Sequence, residues 1–266
     1  PHPVPRSLVF ESPAPDADKV PVQEHERSFF RYFLDGSQTF HRVIDASFKG
    51  SYLPICAAQV GVAVLERSDA GALTVVRDSG ATRIERLLLI PSGRLDAEDL
   101  PNLKEEINRG LPASYHFEIL EYNPKGTKGQ DSEEEPEYHA RARAPSRMPQ
   151  IELESVQAPL DAGRVDSHNW LALDGGLQFR DKRIQRLMKS DVFARNVIGL
   201  AKSFEPSKPV REGKGKRTQD LGNLIKGLEI GERTPAFTSN PLEEPRRASC
   251  YLRIRPRRYV YHPLQG

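Results

Sequence analysis

The sequence predicts an α/β fold, a mixed β-sheet with helices packed against it. Three observations lead there. Strand-like runs rich in apolar and β-branched residues fill residues 29–90, broken only by short polar turns. From residue 96 onward, helical spacings alternate with short apolar strands. Two of the strands, far apart in the chain, each run directly into Asp-Gly.

The elements follow in order. Residues 1–25 read as an irregular, proline-rich arm with one strand candidate at Leu8-Val9-Phe10. Phe29 to Leu34 is aromatic and apolar and predicts a buried strand ending in a polar turn at Asp35-Gly36-Ser37. Gln38 to Ile44, Tyr52 to Glu66, Ala72 to Arg77 and Arg83 to Ile90 continue as strands, the second of them the most buried. Asp96 to Gly110 carries Leu100, Leu103 and Ile107 at helical spacing after an acidic first turn. Tyr115 to Tyr122 returns to strand. Residues 124–147 hold an acidic block and then a basic one, with almost no core-forming side chains, and predict a flexible, partly disordered insertion. Gln150 to Ala158 predicts a helix that Pro159 ends or kinks, Pro149 being acceptable in its first turn. Asn169 to Leu173 is a short strand running into Asp174-Gly175-Gly176. A helix over Arg180 to Met188, a strand over Asn196 to Ala201, a mobile Lys/Gly/Pro-rich loop at 205–217 and a helix over Leu221 to Leu228 come next. Ala236-Phe237 and Ser249 to Ile254 close the series as late strands.

Composition narrows the function less than the order of elements does. At 266 residues the chain can build a sizeable core, and one domain over 1–266 is expected. The 39 basic and 37 acidic residues nearly cancel, so a nucleic-acid partner would need a local basic stripe. No apolar run approaches the roughly 20 residues that cross a bilayer, and the first ten residues lack a secretory pattern. Cys56 and Cys250 match no zinc or redox spacing and read as buried thiols in a reducing cytoplasm. The chain starts without Met and stops just after a strand-like run, which suggests a fragment of a longer sequence. No glycine-rich phosphate loop, HExxH or Gly-x-Ser-x-Gly is present, so the chain is not expected to be an ATPase itself.

The residues that can do chemistry start with Asp35 and Asp174. A carboxylate at a strand tip is held on rigid backbone, and a following glycine permits close approach. Two such carboxylates on neighbouring strands make a hard-oxygen site suited to Mg²⁺ or Mn²⁺. Phosphodiester hydrolysis uses such sites, one ion activating water and a second about 4 Å away steadying the leaving oxygen. Asp-Gly is equally the commonest turn dipeptide, so each occurrence also reads as an ordinary turn. Glu152 and Glu154 are candidates for a third acid. Glu152 flanks the apolar face formed by Leu153, Val156 and Leu160, whereas Glu154 points away from it and should be solvated. Both also read as plain surface acids. Lys202, at the end of the strand Asn196 to Ala201, could meet a phosphate or simply be solvated. The C-terminal Arg253 and Arg255, on one strand face and interleaved with Tyr251, suit phosphate contact and base stacking on single-stranded DNA. A charged, aggregation-resistant edge strand would look the same. His262 is a candidate proton shuttle or metal-side ligand.

With these residues in hand the sequence resembles the NurA family of nucleases. The matching pieces, in the family's order, are Phe33-Leu34-Asp35-Gly36-Ser37, Leu171 to Leu177, Val197 to Ser203, Gly231 to Phe237 and Cys250 to Ile254. The resemblance implies an RNase H-like core and manganese-dependent cleavage of DNA, with end-resecting exonuclease and single-strand endonuclease activity in DNA repair or phage defence. It also implies a homodimer working with a HerA-like hexameric ATPase. Under it Asp35, Glu152 and Asp174 are metal ligands, with Glu154 the second choice for the helix acid. His262 completes the set, and Lys202 supports the DNA or the active site. The sequence departs from the family in reading Asp-Gly-Gly at 174–176 where Asp-Gly-Ser is usual, and in placing Pro149 and Pro159 in the glutamate helix. Two rivals stand beside this reading: an RNase H-like DNA-binding subunit without catalysis, and a guided nuclease like an Argonaute PIWI domain.

Overall fold

The computed structural model describes residues 19–22, 28–48, 51–78, 80–93, 98–125, 136–177, 190–201, 209–212, 218–236 and 249–252. In chain order the strands are β1 (Val20–Pro21), β2 (Phe30–Phe48), β3 (Ser51–Arg67), β4 (Leu73–Val75), β5 (Thr82–Pro91) and β6 (Phe117–Tyr122). They continue as β7 (Trp170–Asp174), β8 (Val197–Leu200), β9 (Pro209–Glu212), β10 (Thr218–Asp220) and β11 (Glu232–Arg233). The helices are α1 (Asp99–Asn108), α2 (Pro136–Arg143), α3 (Met148–Asp161), α4 (Asp191–Asn196) and α5 (Leu221–Gly227). Two compact units result, residues 29–201 and, separately, 1–28 with 202–266.

The unit 29–201 is a mixed α/β sheet in the order β6-β5-β3-β2-β7-β8, with β4 added on β3. β2, β3 and β5 form an antiparallel meander, whereas β7 and β8 run parallel to β2 on its other side. β2 is therefore the seam, with an antiparallel neighbour on one flank and a parallel one on the other. Side-chain alternation gives the sheet two unlike faces. Leu34, Val60, Val62, Val64, Leu87 and Leu89 point to one face and join the core with Ile151, Leu153 and Val156 of α3. Burying each of these fully contributes about 1.5–3 kcal/mol. α2 covers the same face, where the Arg141 guanidinium lies 4.5 Å from the centre of the Phe40 ring. At the far edge the Tyr122 hydroxyl donates to the Pro54 carbonyl at 2.6 Å, and burial pushes its pKa up to about 12.

Several elements differ from expectation, each for a physical reason. Asp35-Gly36-Ser37 is not a turn. β2 runs straight through it because each residue is paired with β3, Gly36 opposite Val62, and a ladder on a long partner strand outweighs a two-residue turn signal. Half of the expected flexible insertion is helical: α2 and a 3-10 turn (Ala144–Arg147) occupy 136–147. Glu137 and Arg141 pair at i,i+4, and Ala140 and Ala144 make small buried contacts that the surrounding charged residues conceal in the sequence. Pro159 does not stop α3, which continues to Asp161 with Pro159 buried. α4, directly before β8, has no counterpart in the sequence reading.

The other unit is built of short pairings. β1 pairs antiparallel with β11 and β9 with β10, so Val20–Pro21 of the arm and Pro209–Glu212 of the loop are strands at positions without a strand signal in the sequence. α5 places Leu221 and Leu224 in a small core that Ile225 and Tyr251 join. Of the expected late strands, Leu252 bridges to Arg233 and Ala236 lies outside any strand, while Phe237, Arg253 and Ile254 lie outside the described residues. Cys56 is buried, which pushes its thiol up to about 11, but Cys250 is exposed, contrary to expectation. The strand at Leu8-Val9-Phe10 and the helix at Arg180 to Met188 lie outside the described residues. No helix among the described residues is long and apolar enough to cross a membrane.

Candidate active site

The two Asp-Gly aspartates meet because of the sheet order. β2 and β7 are parallel neighbours, and Leu34 stands opposite Leu173 at the last pair in register. One residue further on, Asp35 and Asp174 lie side by side on strands spaced by about 4.8 Å. Leu34 and Leu173 turn into the core, so alternation turns both aspartates to the opposite face, where both are exposed. Ser37, Gly61 and Ile84 share that face: a Cβ on Gly61 would meet Ile84 Cγ1 at 3.7 Å and Ser37 Oγ at 3.9 Å.

The two glycines after these aspartates have different work. Gly175 has φ +109°, a backbone that L side chains rarely adopt, and it turns the chain off β7. Its N–H donates to the Leu200 carbonyl at 2.9 Å, tying the turn to the end of β8. A third glycine makes room for this turn. A Cβ on Gly199 would stand 2.5 Å from the Gly175 carbonyl oxygen and 2.9 Å from the Leu177 nitrogen. Gly36, in contrast, sits inside β2, and the space it leaves is on the helix side. A Cβ there would meet Met148 Sδ at 2.6 Å and Glu152 Oε1 at 3.3 Å.

Glu152 is thus the acid whose carboxylate lies over Gly36, on the helix-covered side of β2. It is rooted on α3 and half-buried, one residue from buried Ile151 and Leu153 on either side. Burial first, and then the negative charges of Asp35 and Asp174, raise its pKa above the ordinary glutamate value. Glu154 is committed elsewhere. It pairs with Arg83 and accepts a hydrogen bond from Gln150 at 3.2 Å, so it is ion-paired rather than solvated. Arg83 can reach it because Arg83, like Val62 opposite, emerges on the helix-covered face. The neighbouring Arg147 holds Glu85 with two hydrogen bonds of 2.9 and 3.0 Å, pinning the start of α3 to β5.

Of the remaining sequence candidates, Lys202, Arg253, Arg255 and His262 lie outside the described residues. Tyr251 belongs to the small core on α5. Its N–H donates to Thr234 Oγ1 at 3.0 Å, and partial burial raises its phenol pKa. Sequence reasoning missed Met148, Gly199 and the separate purpose of Gly36. Glycines within otherwise apolar strand runs were the available signal for the last two.

Among the described residues, no three His, Cys, Asp or Glu side chains converge into a ready metal-binding group. The donors at this place nevertheless fit a hard divalent cation. All three are carboxylates; burial first, and then the charges of Asp35 and Asp174, disfavour a charged Glu152, and a bound cation would offset that cost. Neither the protein-family models nor the curated proteins include a match to this chain.

Proposed function

We propose that the chain is a metal-dependent deoxyribonuclease with an RNase H-like core, hydrolysing phosphodiester bonds at Asp35, Asp174 and Glu152. One observation carries the reading: two aspartates far apart in sequence stand side by side where β7 ends against the middle of β2, on the exposed face, with a half-buried glutamate within electrostatic reach. A structural role would not favour this grouping, because it concentrates negative charge without a described basic side chain paired to Glu152.

Asp35 and Asp174, fixed by β2 and β7, and Glu152, fixed by α3, would hold Mn²⁺ or Mg²⁺. The ion, when bound, supplies the Lewis acidity that activates water and offsets charge on the leaving oxygen. The chain's own contribution is rigid placement. The β2–β3 ladder holds Asp35, while the Gly175–Leu200 hydrogen bond fixes the turn behind Asp174. The raised proton affinity of Glu152 means that proton and cation compete for it. The scissile phosphate would approach from the open face, since both aspartates project there. DNA ends and single strands as substrates, a homodimer, and a HerA-like hexameric ATPase as partner complete the reading; they rest on the resemblance of the sequence motifs.

The test is cleavage of linear and single-stranded DNA with Mn²⁺ or Mg²⁺ present and with chelator added. Asp35→Asn and Asp174→Asn should each lower the rate at least about a hundredfold without loss of thermal stability. Metal-independent cleavage, or full activity in either variant, removes the assignment.

A further inference from the structure

We infer that the open face of the sheet carries a track for single-stranded DNA, gripped on either side of the aspartates by two arginine–aromatic pairs, Arg67 with Phe33 and Arg86 with Tyr115. The inference rests on the proposed role of Asp35 and Asp174 for where the scissile bond lies.

The strand register orders these residues along the sheet. Phe33 comes two positions before Asp35 on β2 and Thr39 four positions after it, so alternation turns all three to the open face. Arg67 follows Leu65, the partner of Phe33, by two positions on β3, and its guanidinium lies 5.7 Å from the centre of the Phe33 ring. At the other end Thr39 stands opposite Gln59, and Gln59 opposite Arg86 of β5. The Arg86 guanidinium lies 4.7 Å from the centre of the Tyr115 ring and donates to the Ser114 carbonyl. From Asp35, Arg86 is two strands across and four residues along. With strands spaced by about 4.8 Å and a rise of about 3.3 Å per residue, the separation is about 16 Å. The floor between them is low and polar, with Ala63 opposite Asp35, Gly61 opposite Ser37, and then Thr39 and Gln59.

Charge and stacking identify the occupant. On the helix-covered side arginines are matched by carboxylates: Arg42 with Asp45, Arg83 with Glu154 and Arg147 with Glu85. Arg67 and Arg86 make no ion pair among the described residues, and each rests instead on an aromatic ring. A guanidinium held against a ring keeps its charge available to a second ligand. Tyr115 is itself 55% exposed, and Ile84 beside the track 54%. Uncompensated guanidiniums next to exposed rings, over a flat floor, suit the phosphates and bases of an unpaired strand. A duplex keeps its base faces stacked inside and offers none to these rings. The two aspartates lie between the grips, so a strand held by both would be presented to them at its middle.

The experiment measures binding apart from cleavage: fluorescence anisotropy of a labelled oligothymidylate with the full chain in chelator, over a series of salt concentrations. Arg67→Gln and Arg86→Gln should each weaken binding about fivefold. Each should also make the slope of log affinity against log salt shallower by about 0.7, the share of one phosphate contact on a single strand. Arg86→Lys, which keeps the charge, should retain the slope. Tyr115→Ala should weaken binding at least about fivefold with the slope unchanged, through lost stacking. Arg109→Gln is the control, at an exposed arginine paired with Glu106, and should change neither quantity. An equal effect of Arg109→Gln would overturn the inference, as would unchanged affinity and slope in Arg67→Gln or Arg86→Gln. Failure of the unaltered chain to bind the oligonucleotide would overturn it too. Should thermal melts show that Arg86→Gln does not fold, Tyr115→Ala and Arg67→Gln carry the test. Cleavage of the same oligonucleotide in Mn²⁺ keeps the two readings apart. Binding with these slopes but no cleavage removes the catalytic reading and leaves the track; cleavage with binding indifferent to both arginines does the reverse.

Discussion

The two faces of the central sheet share a backbone but not a chemistry. On the covered face Leu34 is 2% exposed, and Val60, Val62 and Val64 beside it pack under α3. On the other face Ser37, Thr39 and Gln59 are exposed, and Ile84 is 54% exposed. One residue of shift along β2 separates the two environments. A strand can therefore hold a hydrophobic anchor and an exposed carboxylate in adjacent positions, and the anchor fixes the direction of the carboxylate. Glu152 lies on the covered side, over Gly36.

The contrast is broken most directly by paired truncations. Leu34→Ala should lower the unfolding free energy by about 2–5 kcal/mol, the range for large-to-small changes in a packed core. Ile84→Ala, on a strand of the same sheet, should cost below about 1 kcal/mol, through β-propensity and partial packing. Urea denaturation of both variants checks this. A loss for Ile84→Ala as large as that for Leu34→Ala would mean that the second face is covered in solution.

How much of this was legible in the sequence depends on whether the signal was local. β3 and β5 read out almost to the residue because their apolar runs are long and bounded by turn chemistry. The mixed α/β architecture followed from element order. The nature of Asp35-Gly36 did not, since a dipeptide that favours turns carries no trace of the strand pairing with it far along the chain, at Val62. Likewise the helix at Pro136–Arg143 hides its contacts in Ala140, a residue that hydrophobic spacing passes over. Within the candidate site, the adjacency of Asp35 and Asp174 is a property of topology: it exists because β7 inserts beside β2. That Glu152 and Glu154 point to different sides of α3 was readable from helical phase. That Glu154 is held by Arg83 was not, because Arg83 belongs to another strand.

A smaller effect should appear in the pH dependence of the glutamate on the covered side. The folded-state pKa of Glu152 lies above its ordinary value of 4.5, through burial and the two aspartates. Between the unfolded and the folded value the folded chain binds the extra proton. Stability therefore falls as pH rises through that window and does not recover above it. Glu152→Gln removes this loss. Thermal melts in chelator should show the variant and the unaltered chain converging in acid and the variant more stable at neutral pH. Adding Mn²⁺ at neutral pH should favour the unaltered chain. Equal melting profiles across the pH range would mean that Glu152 is not strained by its neighbours.

The smallest predicted effect concerns the covered face alone. Ser155 is fully buried on α3, and among the described residues its hydroxyl has no hydrogen-bond partner. It sits one turn before Pro159, whose ring lacks the N–H that would otherwise bond the Ser155 carbonyl in the regular helical pattern. A buried hydroxyl without a partner costs about 1–3 kcal/mol of desolvation, and removing it without opening a cavity recovers part of that. Ser155→Ala should leave stability unchanged or raise it by up to about 1 kcal/mol, with cleavage unaffected because the residue lies three positions beyond Glu152 and faces the core. A clear loss of stability would show that the hydroxyl is bonded in solution, and would place ordered water within a face that the packing of Ile151, Val156 and Pro159 describes as dry.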